Sequence, residues 1–230
     1  KMELVFKGRL PMSASYNEVL SRLIEERKHL GLSQKEMARL VHITQSNYSK
    51  VEKGLHRFSY EELKYLSKAK VDILYIFTGY RCTGKYVEYF RQYTYDELRC
   101  YLGIIYSLAV LKKYRTNTEE WVGIVKRVEY VPLVLGCKKS SNIFLVIRRM
   151  TDNRQKVMAE KLGLDIKKYR ELEKDRSLPD SEIIWKLYDL FNISPTVVLK
   201  DKNSIINEIS SLLEAIEENG EEVTDIIKQI

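Results

Sequence analysis

Gln45, Ser46, Asn47, Ser49 and Lys50 stand within a few residues of one another in the stretch LSQKEMARLVHITQSNYSKVEKG, which runs from Leu32 to Gly54. Carboxamides present a donor and an acceptor side by side, hydroxyls do either, and lysine supplies a point charge. Those are the groups that suit base edges and phosphates. They act together only if one rigid element turns them outward. A helix that starts after Thr44 and buries Tyr48 and Val51, three residues apart, does so.

The neighbouring residues predict the elements that hold this face. Ser33 with Glu36 forms an S-x-x-E capping box for a helix from Gln34 to about Val41, which buries Met37, Ala38 and Val41. Ala38 sits where the next helix must cross closely. His42 falls at a turn that wants positive φ, a region histidine visits more often than most residues. Ile43 anchors the turn and Thr44 caps the second helix. Upstream, Val19, Leu20, Leu23 and Ile24 have helical spacing from Tyr16 to His29, and Gly31 ends that helix. Downstream, Ser59 caps a helix burying Leu63 and Leu66. A last helix from about Asp72 buries Ile73, Leu74, Ile76 and Phe77 and stops at Gly79.

The Leu32–Gly54 stretch resembles the helix-turn-helix of the lambda-repressor-like (Cro/XRE) DNA-binding proteins. The likeness is strongest in Leu32-Ser33-Gln34, Met37-Ala38 and Glu52-Lys53-Gly54, and it extends from about Tyr16 to Gly79. The resemblance implies that the helix from Thr44 to Lys53 enters the major groove of double-stranded DNA. Gln45, Ser46, Asn47 and Ser49 then read base edges. It implies that Gln34 clamps a phosphate and braces Gln45, while Lys35, Lys50, Lys53 and Arg57 hold the backbone. Self-cleaving repressors of this family carry a β-rich protease domain after the DNA-binding one; a second helical run occupies that place here.

That second run is a repeat. An offset of 121 places Gln34-Lys35 on Gln155-Lys156, Met37-Ala38 on Met158-Ala159, Tyr48 on Tyr169 and Glu52-Lys53 on Glu173-Lys174, with seven of twenty residues identical. His42 becomes Gly163, the expected turn residue. A second, divergent helix-turn-helix domain over 141–202 follows. Its first helix carries Ile143, Phe144, Val146 and Ile147, and its fourth Ile183, Ile184 and Leu187. The outward face has changed, because Thr44, Gln45, Ser46 and Asn47 correspond to Asp165, Ile166, Lys167 and Lys168. Asp165 repels a phosphate and Ile166 offers only a methyl contact. Gln155, Lys167, Lys168 and Arg170 remain a secondary set able to hold DNA backbone. The balance leans to a second domain that has become a scaffold.

Between the repeats, Asp96 to Lys113 has helical spacing, another helix starts near Thr118, and Val131 to Leu135 reads as a turn or extended piece beside Pro132. Of 16 tyrosines, 11 lie from Tyr60 to Tyr114. Simple helix packing explains them, and so does an effector pocket or interaction surface for a protein or small molecule. From Asn203 onward, Ile205, Ile209, Leu212, Ile216, Val223, Ile226 and Ile230 follow alternating steps of three and four. That seam either packs back onto the second domain or pairs two chains. Leu4-Val5-Phe6 is a short strand or part of an arm.

The charge of +7 is unevenly spread: +5 over 1–80, +5 over 81–141, +3 over 142–202 and −6 over 203–230. A basic body fits a polyanionic partner. Cys82, Cys100 and Cys137 are isolated, without metal-ligand spacing, which fits a reduced cytoplasmic protein. No run of eighteen apolar residues exists, so no membrane span is expected. There is no zinc motif, no phosphate-cradling glycine loop and no histidine paired with a nucleophile, so neither an enzyme nor a cofactor is expected.

The expected chain is all-α. It has an arm (1–15), a helix-turn-helix DNA-binding domain (16–80), a helical middle section (81–140), the divergent second domain (141–202) and an acidic amphipathic helical tail (203–230). The expected function is sequence-specific binding of double-stranded DNA to regulate transcription, by a homodimer joined through its tail or its tyrosine-rich middle. The rival is a helix-turn-helix interaction protein, an antitoxin or adaptor whose output is protein contact.

Overall fold

A computed structural model describes residues 15–135, 142–221 and 223, and these are helical with no strand among them. Leu4-Val5-Phe6, Cys137, Ile226 and Ile230 lie outside the described residues. Five helices open the fold: α1 (Tyr16–His29), α2 (Gln34–Leu40), α3 (Gln45–Glu52), α4 (Tyr60–Lys68) and α5 (Ile73–Thr78). Local chemistry sets their ends. Capping boxes form at Ser33–Glu36 and Ser59–Glu62, Thr44 Oγ1 accepts from the Asn47 amide at 3.2 Å, and Gly79 closes α5 in the left-handed region.

The middle section holds α6 (Val87–Phe90), α7 (Tyr95–Thr116), α8 (Glu119–Arg127) and α9 (Val131–Leu135). Val131 to Leu135 is therefore helical, not a turn or extended piece. Pro132 falls in the first turn, where its missing N–H leaves no intrahelical bond unmade. Tyr89, Phe90, Tyr93 and Tyr101 pack ring on ring, with centroids 4.9 to 6.1 Å apart. Part of the tyrosine concentration is thus helix packing.

Five more helices follow: α10 (Ile143–Met150), α11 (Gln155–Leu162), α12 (Ile166–Glu173), α13 (Ser181–Phe191) and α14 (Pro195–Leu199). Several local features of α1 to α5 recur among them. Ile43 N donates to Ala38 O at 3.0 Å, and Leu164 N donates to Ala159 O at 2.9 Å. His42 has φ 58° and Gly163 φ 66° at the same turn. Tyr48 and Tyr169 are both fully buried.

The two runs dock on each other. Phe58 N donates to Ser181 Oγ at 3.1 Å and Ser181 N to Phe58 O at 2.9 Å. Arg57 pairs with Glu182 at 2.7 Å, and Tyr60 OH donates to Leu199 O at 2.8 Å. Helix α5 packs on α13 and α14, while α14 packs on α4 and α5, so the joint is nearly reciprocal.

The last helix, α15 (Lys202–Glu218), is no free tail. It packs along α7 and also touches α4, α5, α6, α8 and α14. Ile205, Ile209, Leu212 and Ile216 are each at most 1% exposed, so over the described residues the chain itself covers the seam expected to pair two copies. Opposite charge draws the acidic helix onto the basic middle. Glu217 takes Lys85 at 2.5 Å, Glu221 pairs with Lys112, and Glu214 accepts the Thr83 amide at 3.0 Å. Inside, Glu208 accepts from Ser194 at 2.9 Å and from Thr196, tying α14 to α15.

If α15 is the core of the joint, Leu212→Ala destabilises the whole chain by about 2–5 kcal/mol in urea denaturation. Leu190→Ala, on a 44% exposed side chain, should change stability by less than about 0.5 kcal/mol.

Candidate nucleic-acid interface

Helix α3 owes its position to its buried side. Tyr48 and Val51 are 0% exposed, and Ala38 at 1% lets α2 approach closely. At its far end Leu55 N reaches back to Lys50 O at 2.8 Å and Gly54 N to Val51 O at 2.9 Å. Gly54 stands at φ 72°, and a Cβ there would meet Leu20 Cδ1 at 3.1 Å, so both backbone and space call for glycine.

On the other side Gln45, Ser46, Asn47 and Lys50 are exposed and Ser49 is half-buried. Lys35 and Lys53 are exposed beside them. Thr44 is exposed, but its hydroxyl is engaged as the helix cap. The structure thus brings Lys35, Thr44, Gln45, Ser46, Asn47, Ser49, Lys50 and Lys53 onto two packed helices and their junction.

Gln34 and Arg57 are placed differently from the rest. Gln34 Nε2 donates to Glu52 Oε2 at 2.7 Å, so its amide braces the end of α3 through Glu52. Arg57 is half-buried in the joint, donating to Glu182 Oε2 at 2.7 Å and Gly54 O at 2.6 Å, with its guanidinium 4.7 Å from the Tyr16 ring centre.

The residues that sequence reasoning missed are the ones Gln34 leads to. Arg27 Nε donates to Glu52 Oε1 at 2.6 Å and Arg27 Nη1 to Leu32 O at 3.0 Å. One buried carboxylate therefore joins α1, α2 and α3. Burial and the neighbouring Glu52 hold the Tyr48 phenol far above its usual range, so it stays neutral. The same knot recurs in the second run: Arg148 donates to Glu173 at 2.5 Å and Gln155 donates to Glu173. The signal was available, since Arg27 and Arg148 lie 121 apart, just upstream of the aligned window.

In the second run Asp165 caps α12 by accepting the Lys168 amide at 2.9 Å. Lys167 and Arg170 are exposed, Lys168 and Ile166 half-buried. Gln155 spans two partners, donating to Glu173 and accepting from Arg170 Nε at 3.1 Å. Among the described residues no group of His, Cys, Asp and Glu could hold a metal ion, and no helix is long and apolar enough to cross a membrane.

Residues 23–69 match the protein-family model described as Helix-turn-helix. It is of the Cro/XRE type, a DNA-binding regulatory domain. The match begins inside α1 and ends just after α4, so it contains the whole of α2 and α3. No curated protein and no solved structure matches the chain.

The buried knot makes a direct demand on stability. Arg27 and Glu52 side chains are 12% and 6% exposed, so Glu52→Ala strands a buried guanidinium and should cost about 3–5 kcal/mol. Arg27→Ala should cost a similar amount, and the double substitution less than the sum of the two, read by denaturant unfolding.

Proposed function

We propose that the chain is a sequence-specific, double-stranded DNA-binding regulator of transcription. It reads its site with α3 in the major groove. The observation that carries this reading is the exposed polar face of α3, with Gln45, Ser46 and Asn47 at the helix's leading end and Lys50 and Lys53 behind them. It lies inside the segment that matches the helix-turn-helix family. Gln45, Ser46, Asn47 and Ser49 read base edges; Lys35, Lys50 and Lys53 neutralise phosphates. Gln34 acts by fixing Glu52 and, through it, the angle of α3. Arg57 contributes to the backbone grip from a side chain already shared with Glu182.

The organisation that fits this role is a reading domain over 16–80, a middle section over 81–140 and a divergent second copy over 141–202. An acidic segment over 203–230 carries nearly all of α15. The repeated turn, cap and carboxylate knot support the second copy. Its outward helix offers Ile166 and an acidic cap where the first offers Gln45 and Thr44, so we assign it to holding the first domain in place.

Two measurements test the reading domain. Gln45→Ala with Asn47→Ala should cost about 1–3 kcal/mol per lost bidentate contact and flatten base preference in a selection from random duplexes. Substituting Lys50 and Lys53 should weaken binding to all sequences alike, lowering the slope of log affinity against log salt by about one per phosphate contact. A chain that retains its specific affinity with Gln45 and Asn47 removed does not read DNA this way; one that shifts no duplex at low salt fits the interaction-protein rival.

For the second domain, Lys167→Glu with Lys168→Glu and Arg170→Glu should leave the length of the DNA footprint unchanged. A footprint that shortens shows that α12 also grips the duplex.

A further inference from the structure

We propose that the outward face of α7 is where two copies of this chain pair, with the two helices antiparallel. The inward face of α7 is spoken for. Leu98, Tyr101, Leu102, Ile105 and Ala109 are buried, and α8, α9 and α15 pack around the helix. The opposite face carries Glu97, Cys100, Ile104, Ser107, Leu111 and Tyr114, in steps of three, four, three, four and three; Ile104 is half-buried and the other five are exposed. That is the spacing a second helix needs in order to lie along the first. Leu111 is 45% exposed and Tyr114 89%, with Val110 at 36% beside them.

The occupant follows from how this stripe meets its own reverse. Turned end for end on a second copy, Cys100 faces Leu111, Ile104 faces Ser107 and Glu97 faces Tyr114. A large side chain then meets a smaller one at every level. The same register sets Asp96 opposite Arg115 at both ends of the pair. The helix is acidic in its first turn (Asp96, Glu97) and basic in its last (Lys113, Arg115), so antiparallel pairing aligns opposite charges and opposes the two helix dipoles. A parallel pair would set Asp96 on Asp96 and Arg115 on Arg115. The described part of the α15 seam is covered inside the chain, whereas Leu111 and Tyr114 on α7 are exposed. About 33 Å of helix per copy is available for the contact. This pairing does not depend on the DNA reading, and its test uses free protein.

The experiment is sedimentation equilibrium of the full chain across micromolar concentrations, together with cysteine cross-linking. The wild-type mass should rise to that of a dimer. Leu111→Lys should raise the dissociation constant at least about tenfold, with helical content and melting unchanged. In a Cys82→Ser, Cys137→Ser background, Leu111→Cys should give a covalent dimer under mild oxidation, with links between Cys100 of one copy and position 111 of the other. Within one chain those positions are about 16 Å apart along the helix, too far for a disulfide. Links that join position 111 to position 111 would overturn the antiparallel arrangement. So would a chain that stays monomeric at the highest concentration, or a dimer indifferent to Leu111→Lys.

Discussion

A carboxylate taken out of water has to be matched, and the cheapest match fixes whatever carries the partner groups. Glu52 at the end of α3 is such a group. Arg27 comes to it from α1 and Gln34 from α2, so one buried oxygen pair sets three helices relative to one another. The exposed amides of α3 are aimed by this arrangement, because a helix of only eight residues has little packing surface with which to hold its own angle. Chain economy is visible in the repeat: Glu173, Arg148 and Gln155 rebuild the knot although the outward face of α12 has lost the amides that α3 presents.

The knot ties three helices together in each run, and the joint ties one run to the other. The Phe58 amide donates to the Ser181 hydroxyl and the Ser181 amide to the Phe58 carbonyl, and the Tyr16 hydroxyl closes on the same Ser181 hydroxyl at 2.7 Å. Burial pushes the Tyr16 phenol up to about 12, which keeps that contact between two neutral groups. Behind the joint α15 gives both runs and the middle helices a common core, with Ile209 and Leu212 wholly buried and its acidic side chains meeting Lys85 and Lys112.

Local signals were legible in the sequence, and long-range ones were not. Ser33, Thr44 and Ser59 announce helix starts, and Gly31, Gly54 and Gly79 announce stops, because capping and positive φ are decided by a few neighbouring residues. The polar face from Gln45 to Lys50 follows from which residues Tyr48 and Val51 leave outside. Arg27 with Glu52 leaves no period in the chain, so the pair shows only in space or by extending the repeat upstream. Heptad spacing from Ile205 to Ile216 establishes one apolar face but not what covers it, and here α7 covers much of it. Arg57 reads as a surface cation until Glu182, 125 residues away, is seen beside it. Pro132 reads as a stop when it is in fact an early residue of a short helix.

The placement of α15 also has a consequence for biosynthesis. Lys112 at the end of α7 and Glu221 just past α15 are 109 residues apart in the chain yet form an ion pair. Translation at about 5–20 residues per second leaves α7 waiting roughly 5–20 s for the helix that covers it. In that interval the inward face of α7, with Leu98, Leu102 and Ile105, lacks the cover that α15 later supplies. The apolar side of α7 is thus synthesised well before the helix that closes over it.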